Sequence, residues 1–243
     1  MIVLIITAVR IKSMDSHRIS GRILAENIAG PGMLRLVEQS MQARARKTSV
    51  TEIAVKERKH PQAALTFDDG PDIRYTPLLL DGLKERNVRV SFFLLGEKVE
   101  QYPELVERMQ KEGHLVGNHT YHHVQLNKLN ETKAREEILK TNNLIYETTG
   151  VYPLYLRPPF GAWKKNLELC VEMLPVFWTI DTLDWKVQNT EKIVRTVQEQ
   201  IEDGAIILMH DEYDTSVEAA LQVVDELKNQ GYELVTVDRL ILP

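Results

Sequence analysis

Apolar residues change their spacing along the chain at about residue 62. Over residues 16–47 they recur at helical intervals (Ile19, Ile23, Leu24, Ile28, then Met33, Leu34, Leu36, Val37, Met41), with a break at Gly30-Pro31-Gly32. From Ala63 onward, apolar runs of buried-strand length alternate with segments of helical period. Strands are expected over residues 63–67, 89–95, 114–118, 153–157, 175–180, 204–209 and 233–237. The segments between them end at residues that stop helices. Leu78, Leu79, Leu80 and Leu83 lead into Asn87; Leu105, Val106 and Met109 lead into Gly113; Ile138, Leu139, Leu144 and Ile145 lead into Gly150. Ile193, Val194, Val197 and Ile201 lead into Gly204, and Ala220, Leu221, Val224 and Leu227 into Gly231. Seven strands alternating with helices imply an α/β protein with a parallel sheet and right-handed crossovers, closed or nearly closed into a barrel. No glycine-rich phosphate loop follows any strand, which weakens a doubly wound, nucleotide-binding alternative.

Barrels of this kind carry their chemistry at the carboxyl ends of the strands, and the polar residues gather there. Asp68 and Asp69 follow the first strand, His119 the third, Arg157 the fourth, Asp181 and Asp184 the fifth, and His210 and Asp211 the sixth. The run Leu65-Thr66-Phe67-Asp68-Asp69-Gly70-Pro71 is the centre of this pattern. Two adjacent carboxylates at the mouth of a buried strand are costly to desolvate unless a cation or proton is shared there. Asp-Gly is also common turn chemistry, so the pair alone does not decide. In Gly117-Asn118-His119-Thr120-Tyr121-His122-His123, His119 and His123 are four apart, so a helical turn would set them on one face to chelate one ion, with His122 pointing elsewhere. Two imidazoles and one carboxylate leave positions open for water and substrate, as a hydrolytic metal requires. His210, at the end of an apolar strand, reads either as a buried histidine satisfied by a carboxylate or as a general acid held protonated by a residue such as Asp184. Trp185 adds an aromatic face of the kind sugars stack on. Arg157 is a fixed cation able to lower the pKa of Asp68, and the rigid Arg157-Pro158-Pro159-Phe160 backbone is placed to offer an amide N–H to an oxyanion. His17, His60 and His114 have no such company.

Composition sharpens this reading by exclusion. Of 243 residues, 43% are hydrophobic and 27% charged, ordinary for a globular protein. The net charge of −5 conceals a balance of +5 in residues 1–50 and −10 in the remainder, which argues against nucleic acid as a partner of the main body. The single cysteine, Cys170, excludes an intrachain disulfide and a thiolate-rich zinc site, and its apolar surroundings read as the buried face of a helix. Met1–Val9 is apolar but far shorter than the roughly 20 residues of a membrane-spanning helix, and it lacks a basic n-region and a clear cleavage site. It reads either as the remnant of a signal anchor or as a buried strand or helix end. The basic run Arg44-Ala45-Arg46-Lys47 and the polar stretch to Pro61 read as a linker, either solvated or lying near an anionic surface.

In order and spacing, five stretches resemble the polysaccharide deacetylase family, carbohydrate esterase family four with the nodulation-type chitooligosaccharide deacetylase domain. They are Thr66-Phe67-Asp68-Asp69-Gly70-Pro71, His119-Thr120-Tyr121-His122-His123, Arg157-Pro158-Pro159-Phe160, Asp181-Thr182-Leu183-Asp184-Trp185 and Leu208-Met209-His210. The resemblance covers about residues 62–242. It implies a catalytic domain over 62–243 with the fold of a distorted (β/α) barrel of about seven parallel strands; it does not extend to residues 1–61, which read from their own pattern as an apolar and basic helical extension and linker. It further implies metal-dependent removal of N-acetyl groups from amino sugars, with Asp68 as base and Asp69, His119 and His123 as metal ligands. Arg157 would position the base and His210 would be the acid, tuned by Asp184. Trp185 and Leu208 would wall the acetyl pocket, with Pro159 and Phe160 also on the substrate side. Phe160 departs from the tyrosine of many members, but the family uses the backbone N–H at that position.

Zinc suits an open site of N and O ligands, with cobalt and other divalent ions able to substitute. The expected partner is an N-acetylated polysaccharide such as peptidoglycan or chitin oligomers, and no nucleic acid. The expected location is extracellular or at the cell surface, with residues 1–61 as a candidate association with membrane or wall. Two other hydrolases remain as alternatives: one cleaving a small-molecule amide or ureide C–N bond on the same barrel, and an acetyl xylan esterase. A non-catalytic carbohydrate-binding barrel would be expected to have lost Asp68 or His210. A two-carboxylate glycosidase needs its acids roughly 5–9.5 Å apart across the sugar, whereas Asp68 and Asp69 are adjacent.

Overall fold

Strand β1 (Gln62–Asp68), all seven residues of it buried, is the axis on which the sheet is built. The computed structural model describes residues 60–163 and 173–241. The helices expected over 16–47, almost all of the linker that follows, and Cys170 with its helix lie outside the described residues. Beside β1 run β2 (Ser91–Leu94), then β3 (Leu115–Asn118), β4 (Tyr155–Leu156) and β5 (Leu174–Pro175). On its other side lie β7 (Ala205–His210) and β6 (Ile180–Asp181), and β8 (Glu233–Leu234) pairs with the start of β1. Every pairing is parallel. The expected parallel sheet is therefore present, curled, with eight strands among the described residues in place of seven.

The difference arises from the run expected as one strand over 175–180. Its two ends belong to opposite edges of the sheet, β5 on β4 and β6 on β7. Between them, Val176 N–H donates to the Leu156 carbonyl at 2.8 Å and Thr179 N–H to the Ile206 carbonyl at 2.9 Å, so this short segment spans the seam of the barrel. Pro175 has no N–H for a ladder and Phe177 is exposed, so the run could not serve as a central strand. The strand expected over 153–157 is likewise reduced to two residues.

Among the described residues, five helices form where the periodicity places them: α1 (Tyr75–Glu85), α3 (Pro103–Lys111), α4 (Glu131–Thr149), α6 (Thr190–Gln200) and α7 (Asp214–Asn229). The short helices α2 (Gly96–Gln101), α5 (Asp184–Val187) and α8 (Val237–Ile241) are not among those expected, and α8 begins where the last expected strand ends. Local chemistry sets their ends. The side chains of Asn130 and Asn189 cap α4 and α6, each accepting an N–H at 2.9 Å, and Pro103 opens α3. Gly150, in the left-handed region at φ 72°, closes α4. Leu78, counted with the core positions of α1, instead faces solvent at 55% exposure, because the helix buries only the stripe of Leu79, Leu80 and Leu83.

Alternation along the strands separates two cores. Ala63, Leu65 and Phe67 of β1, with Ala205, Ile207 and Met209 of β7, pack outward against α1, α3, α6 and α7. Ala64, Phe93, Tyr155 and Val176 face inward and close the barrel floor with Val237. Gly117 lets β3 approach this floor, since a Cβ there would lie 2.7 Å from the Phe93 ring and 3.1 Å from the Tyr155 carbonyl oxygen. Gly117→Ala should lower the unfolding free energy by about 1–3 kcal/mol through overpacking, read from urea denaturation; an unchanged midpoint would refute this close approach.

Candidate active site

The alternation that sends Leu65 and Phe67 toward the helices sends Thr66 and Asp68 into the barrel. In register, Asp68 lies opposite Phe93 on one side and His210 on the other. Side chains paired across parallel strands share a face, so Asp68 and His210 emerge together at the carboxyl end of the sheet. Arg157, just past β4, reaches into the barrel and is fully buried. One guanidinium nitrogen donates to Asp68 Oδ1 at 2.8 Å and to Thr66 Oγ1 at 2.7 Å, while the group lies over the Phe93 ring at 4.2 Å. Arg157 does act to lower the pKa of Asp68, as the sequence suggested. Burial acts more strongly in the opposite direction, however, and the carboxyl ends above its ordinary value, which favours its accepting a proton.

Asp69 opens the turn after β1 in the left-handed region, at φ 70°, which short polar side chains tolerate. Its buried Oδ1 has no hydrogen-bond partner and lies 3.4 Å from Nε2 of both His119 and His123. The histidine pair meets there, but not for the reason its spacing suggested. Residues 119–125 form no helix, and Thr120 and His123 take positive φ of 67° and 55°. His119 Nδ1 donates to the Arg157 carbonyl at 2.6 Å, which leaves the Nε2 lone pair aimed at the carboxylates. Burial depresses the His119 pKa to about 3 against the pull of Asp69, so the ring is neutral at ordinary pH. His122 points away, more than half exposed, and pairs with Glu137.

His210 and Asp184 form a second buried pair. Asp184 opens α5; its Oδ2 accepts the His210 backbone N–H and its Oδ1 meets His210 Nδ1, both at 2.8 Å. Burial works against charge on the ring, yet the Asp184 carboxylate outweighs it and holds the His210 pKa up to about 9. Burial likewise opposes ionisation of Asp184, and its bonds to His210 overcome this and bring it below its ordinary value. His210 Nε2 points at Asp69 Oδ2 from 3.9 Å.

Around these buried groups the rim is open. Phe160 is 63% exposed with its ring 4.5 Å from that of His123, and Leu183 and Trp185 stand exposed on either side of Asp184. Pro159 and Leu208 are buried beneath this rim. The backbone at Phe160 is left-handed (φ 59°, ψ 14°) and is held between Pro158-Pro159 and Gly161.

The ligand atoms of Asp69, His119 and His123 all lie within 4.8 Å of one another. The orphaned carboxylate oxygen of Asp69 faces the His119 Nε2 lone pair, two acceptors that repel one another unless a cation sits between them. The donor set fits a divalent metal.

The polysaccharide deacetylase profile matches residues 55–176. A peptidoglycan-N-acetylglucosamine deacetylase, PgdA of Listeria monocytogenes, is 42% identical over 185 residues, covering 76% of this chain and 40% of the relative. The crystal structure of the peptidoglycan deacetylase PdaC from Bacillus subtilis superposes with a TM-score of 0.73 at 41% identity, covering 75% of this chain and 90% of that one. The chain belongs to the polysaccharide deacetylase family. It spans about two fifths of the length of the Listeria relative. A carbohydrate esterase family four pseudoenzyme from Bacillus anthracis also shares the fold (TM-score 0.70, 29% identity, 75% of this chain and 66% of that one). The side chains at the site, rather than the fold, must therefore carry any claim of activity in a polysaccharide deacetylase.

In this member of the family, all eleven residues singled out from the sequence lie at the carboxyl end of the sheet. Other participants were not singled out. Thr66 helps hold Arg157, and its own hydroxyl donates to the Ile207 carbonyl at 2.7 Å; its inward position in the alternation was the available signal. Asp211 was noted only as ending β7. Fully buried, it accepts the Thr76 hydroxyl and crowds the turn after β1 so closely that a Cβ at Gly70 would lie 2.5 Å from its Oδ1. Burial pushes this carboxyl up to about 7.

Since its folded pKa of about 9 exceeds the ordinary 6.5, charge on His210 stabilises the fold fully below pH 6.5 and ceases to do so as pH rises through 9. Asp184→Asn removes the sustaining carboxylate, so the His210 pKa should drop below 6.5. NMR titration of the ring in the metal-free protein measures this, and a midpoint still near 9 would contradict the pairing.

Proposed function

We propose that this chain is a metal-dependent N-deacetylase that hydrolyses the acetamide of N-acetylated amino sugars in a wall polysaccharide, releasing acetate and a free amine. The observation that carries the reading is the convergence of Asp69, His119 and His123 on one point between two differently tuned proton carriers, Asp68 with Arg157 and His210 with Asp184. Asp69, His119 and His123 would hold the ion, for which zinc is the best match to the ligands. When bound, the ion supplies Lewis-acid chemistry, lowering the pKa of water and polarising the carbonyl.

Asp68 takes the proton from the attacking water, and Arg157 fixes the carboxylate in one orientation as it does so. The Phe160 N–H, preorganised by the flanking prolines, is offered to the oxyanion of the tetrahedral adduct. His210, kept protonated by Asp184, gives its proton to the departing nitrogen, which otherwise leaves poorly as an amide anion. The buried Leu208 and the exposed Trp185 would border the acetyl methyl.

The open aromatic rim favours a sugar polymer over a small cyclic amide that would be enclosed. The names of the Listeria and Bacillus relatives favour peptidoglycan among the polymers. Such a substrate requires an extracellular or cell-surface location, with residues 1–61 as the candidate association with membrane or wall. Among the described residues, no helix is long and apolar enough to cross a membrane.

Acetate release from N-acetylated peptidoglycan fragments tests the reading. Excess chelator should abolish it and zinc or cobalt restore it; full activity in chelator would exclude a metal role. Asp68→Asn should keep the metal while turnover falls by about 10²-fold or more, whereas Asp69→Ala should lose metal and turnover together. Equal metal loss in both would show the roles of the two carboxylates to be wrongly divided. His210→Ala should retain metal and impair an N-acetyl amide more than an O-acetyl ester, because an alkoxide leaves more readily than an amine anion; equal impairment would remove His210 as the acid.

A further inference from the structure

The loop after β3 has a demanding task. It presents His119 and His123 to one point without helix or strand to shape it, and its backbone turns through positive φ at Thr120 and again at His123. Such conformations persist in residues other than glycine only where the surroundings over-determine them. Midway between the two histidines, Glu137 contributes to this. Glu137, on the second turn of α4, accepts the backbone N–H of Tyr121 at 3.0 Å and of His122 at 2.9 Å through Oε2. Its Oε1 meets His122 Nδ1 at 2.8 Å. One carboxylate thus secures the chain at two consecutive residues lying between the ligands. The Glu137 side chain is 16% exposed, so these bonds are largely sheltered from water.

The same helix holds the loop at its entry. Asn118 donates to the Ile138 carbonyl at 2.9 Å and to Asn142 Oδ1 at 2.6 Å, and its own Oδ1 accepts the Thr120 N–H at 2.6 Å. Lys140 lies over the Tyr121 ring at 3.4 Å. Four positions of α4 therefore act as a template for the loop, and of these four Glu137 is the one that bonds to the backbone between the two ligands, where the Gly96 and Glu97 N–H groups also donate to the Thr120 and Tyr121 carbonyls at 2.9 and 3.3 Å. Glu137 is not one of the clustered ligands and touches neither Asp68 nor His210.

We propose that Glu137 is a positioning residue for metal binding: its carboxylate clamps the Tyr121–His122 backbone so that His119 and His123 are preorganised around the ion. This inference rests on the reading of Asp69, His119 and His123 as a metal site. Without the clamp, the loop must be ordered by the ion itself, and the affinity falls by the cost of that ordering. Removal of partners that orient metal ligands typically weakens binding by about 10–100-fold.

The test is the Zn2+ dissociation constant of the full chain, measured by competition with a chromophoric chelator. Glu137→Ala should weaken binding by about tenfold or more, and the rise in melting temperature on adding Zn2+ should shrink. Glu137→Gln retains an oxygen able to accept from the loop backbone and should stay within about threefold of wild type. His122→Ala deletes only the exposed arm of the clamp and should do likewise. Saturating Zn2+ should return kcat in Glu137→Ala toward wild type with KM unchanged, which a general loss of stability would not do. If Glu137→Ala melts below the assay temperature, Glu137→Met, which preserves length and packing but removes both acceptors, takes its place and should show the same weakening. An unchanged dissociation constant in the folded variant that lacks the acceptors overturns the proposal while leaving the metal site intact. A wild-type chain that binds no Zn2+ overturns the metal reading and this inference with it.

Discussion

The bond between Arg157 and Asp68 is the interaction on which the site depends. Both groups lie inside the barrel, and taking two opposite charges out of water is justified only by close geometry and by further hydrogen bonds. Thr66 supplies one of these to Arg157, and Thr66 is in turn tied to the Ile207 carbonyl on the neighbouring strand. The carbonyl of Arg157 receives His119 Nδ1. One residue thereby fixes the candidate base through its side chain and a candidate metal ligand through its backbone. Loss of either charge would leave the other buried and unpaired, a situation that costs about 3–5 kcal/mol in proteins.

A strict period of two makes this possible. The residues of β1 that face outward are wholly apolar and hold the helices, so the inner face is free to carry Thr66 and Asp68 without sacrificing the main core. The same division on β7 brings His210 beside Asp68 while Ile207 and Met209 face the helices. Burial raises both the Asp68 and the Asp211 carboxyls, whereas His210 and Asp184 draw one another toward the charged forms. Similar side chains thus acquire different proton affinities within a few ångströms, the condition under which a base and an acid can work in one cleft.

How much of this was legible in the sequence follows from which forces leave local traces. The longer strands β1 and β7 are uninterrupted apolar runs and declared themselves, as did the helices ending at Asn87, Gly113, Gly150 and Gly231. The run at 175–180 looked like one strand because periodicity reports burial and not pairing partners; the division between two sheet edges is a property of barrel closure. The spacing of His119 and His123 singled out two side chains that do converge, but through a helical turn that does not exist, since a loop bent by two left-handed residues also returns on itself after four positions. Asp68, Asp69, Arg157, Asp184 and His210 stood out as polar residues at the ends of apolar segments. Glu137 could not stand out. It sits beside Glu136 in a charged helix, and only the folded loop distinguishes one glutamate from the other.

The parallel order of the sheet, with β7 beside β1, draws the site from segments of very unequal chain separation. Asp69 follows β1, and His119 and His123 follow β3, all within about the first third of the chain beyond residue 62. The acid lies on β7, whose Ile207 meets Thr66 across 141 residues. Short loops close at lower entropic cost than long ones. A nascent chain of this topology can therefore bring Asp69, His119 and His123 together well before β7 docks beside β1 and adds His210.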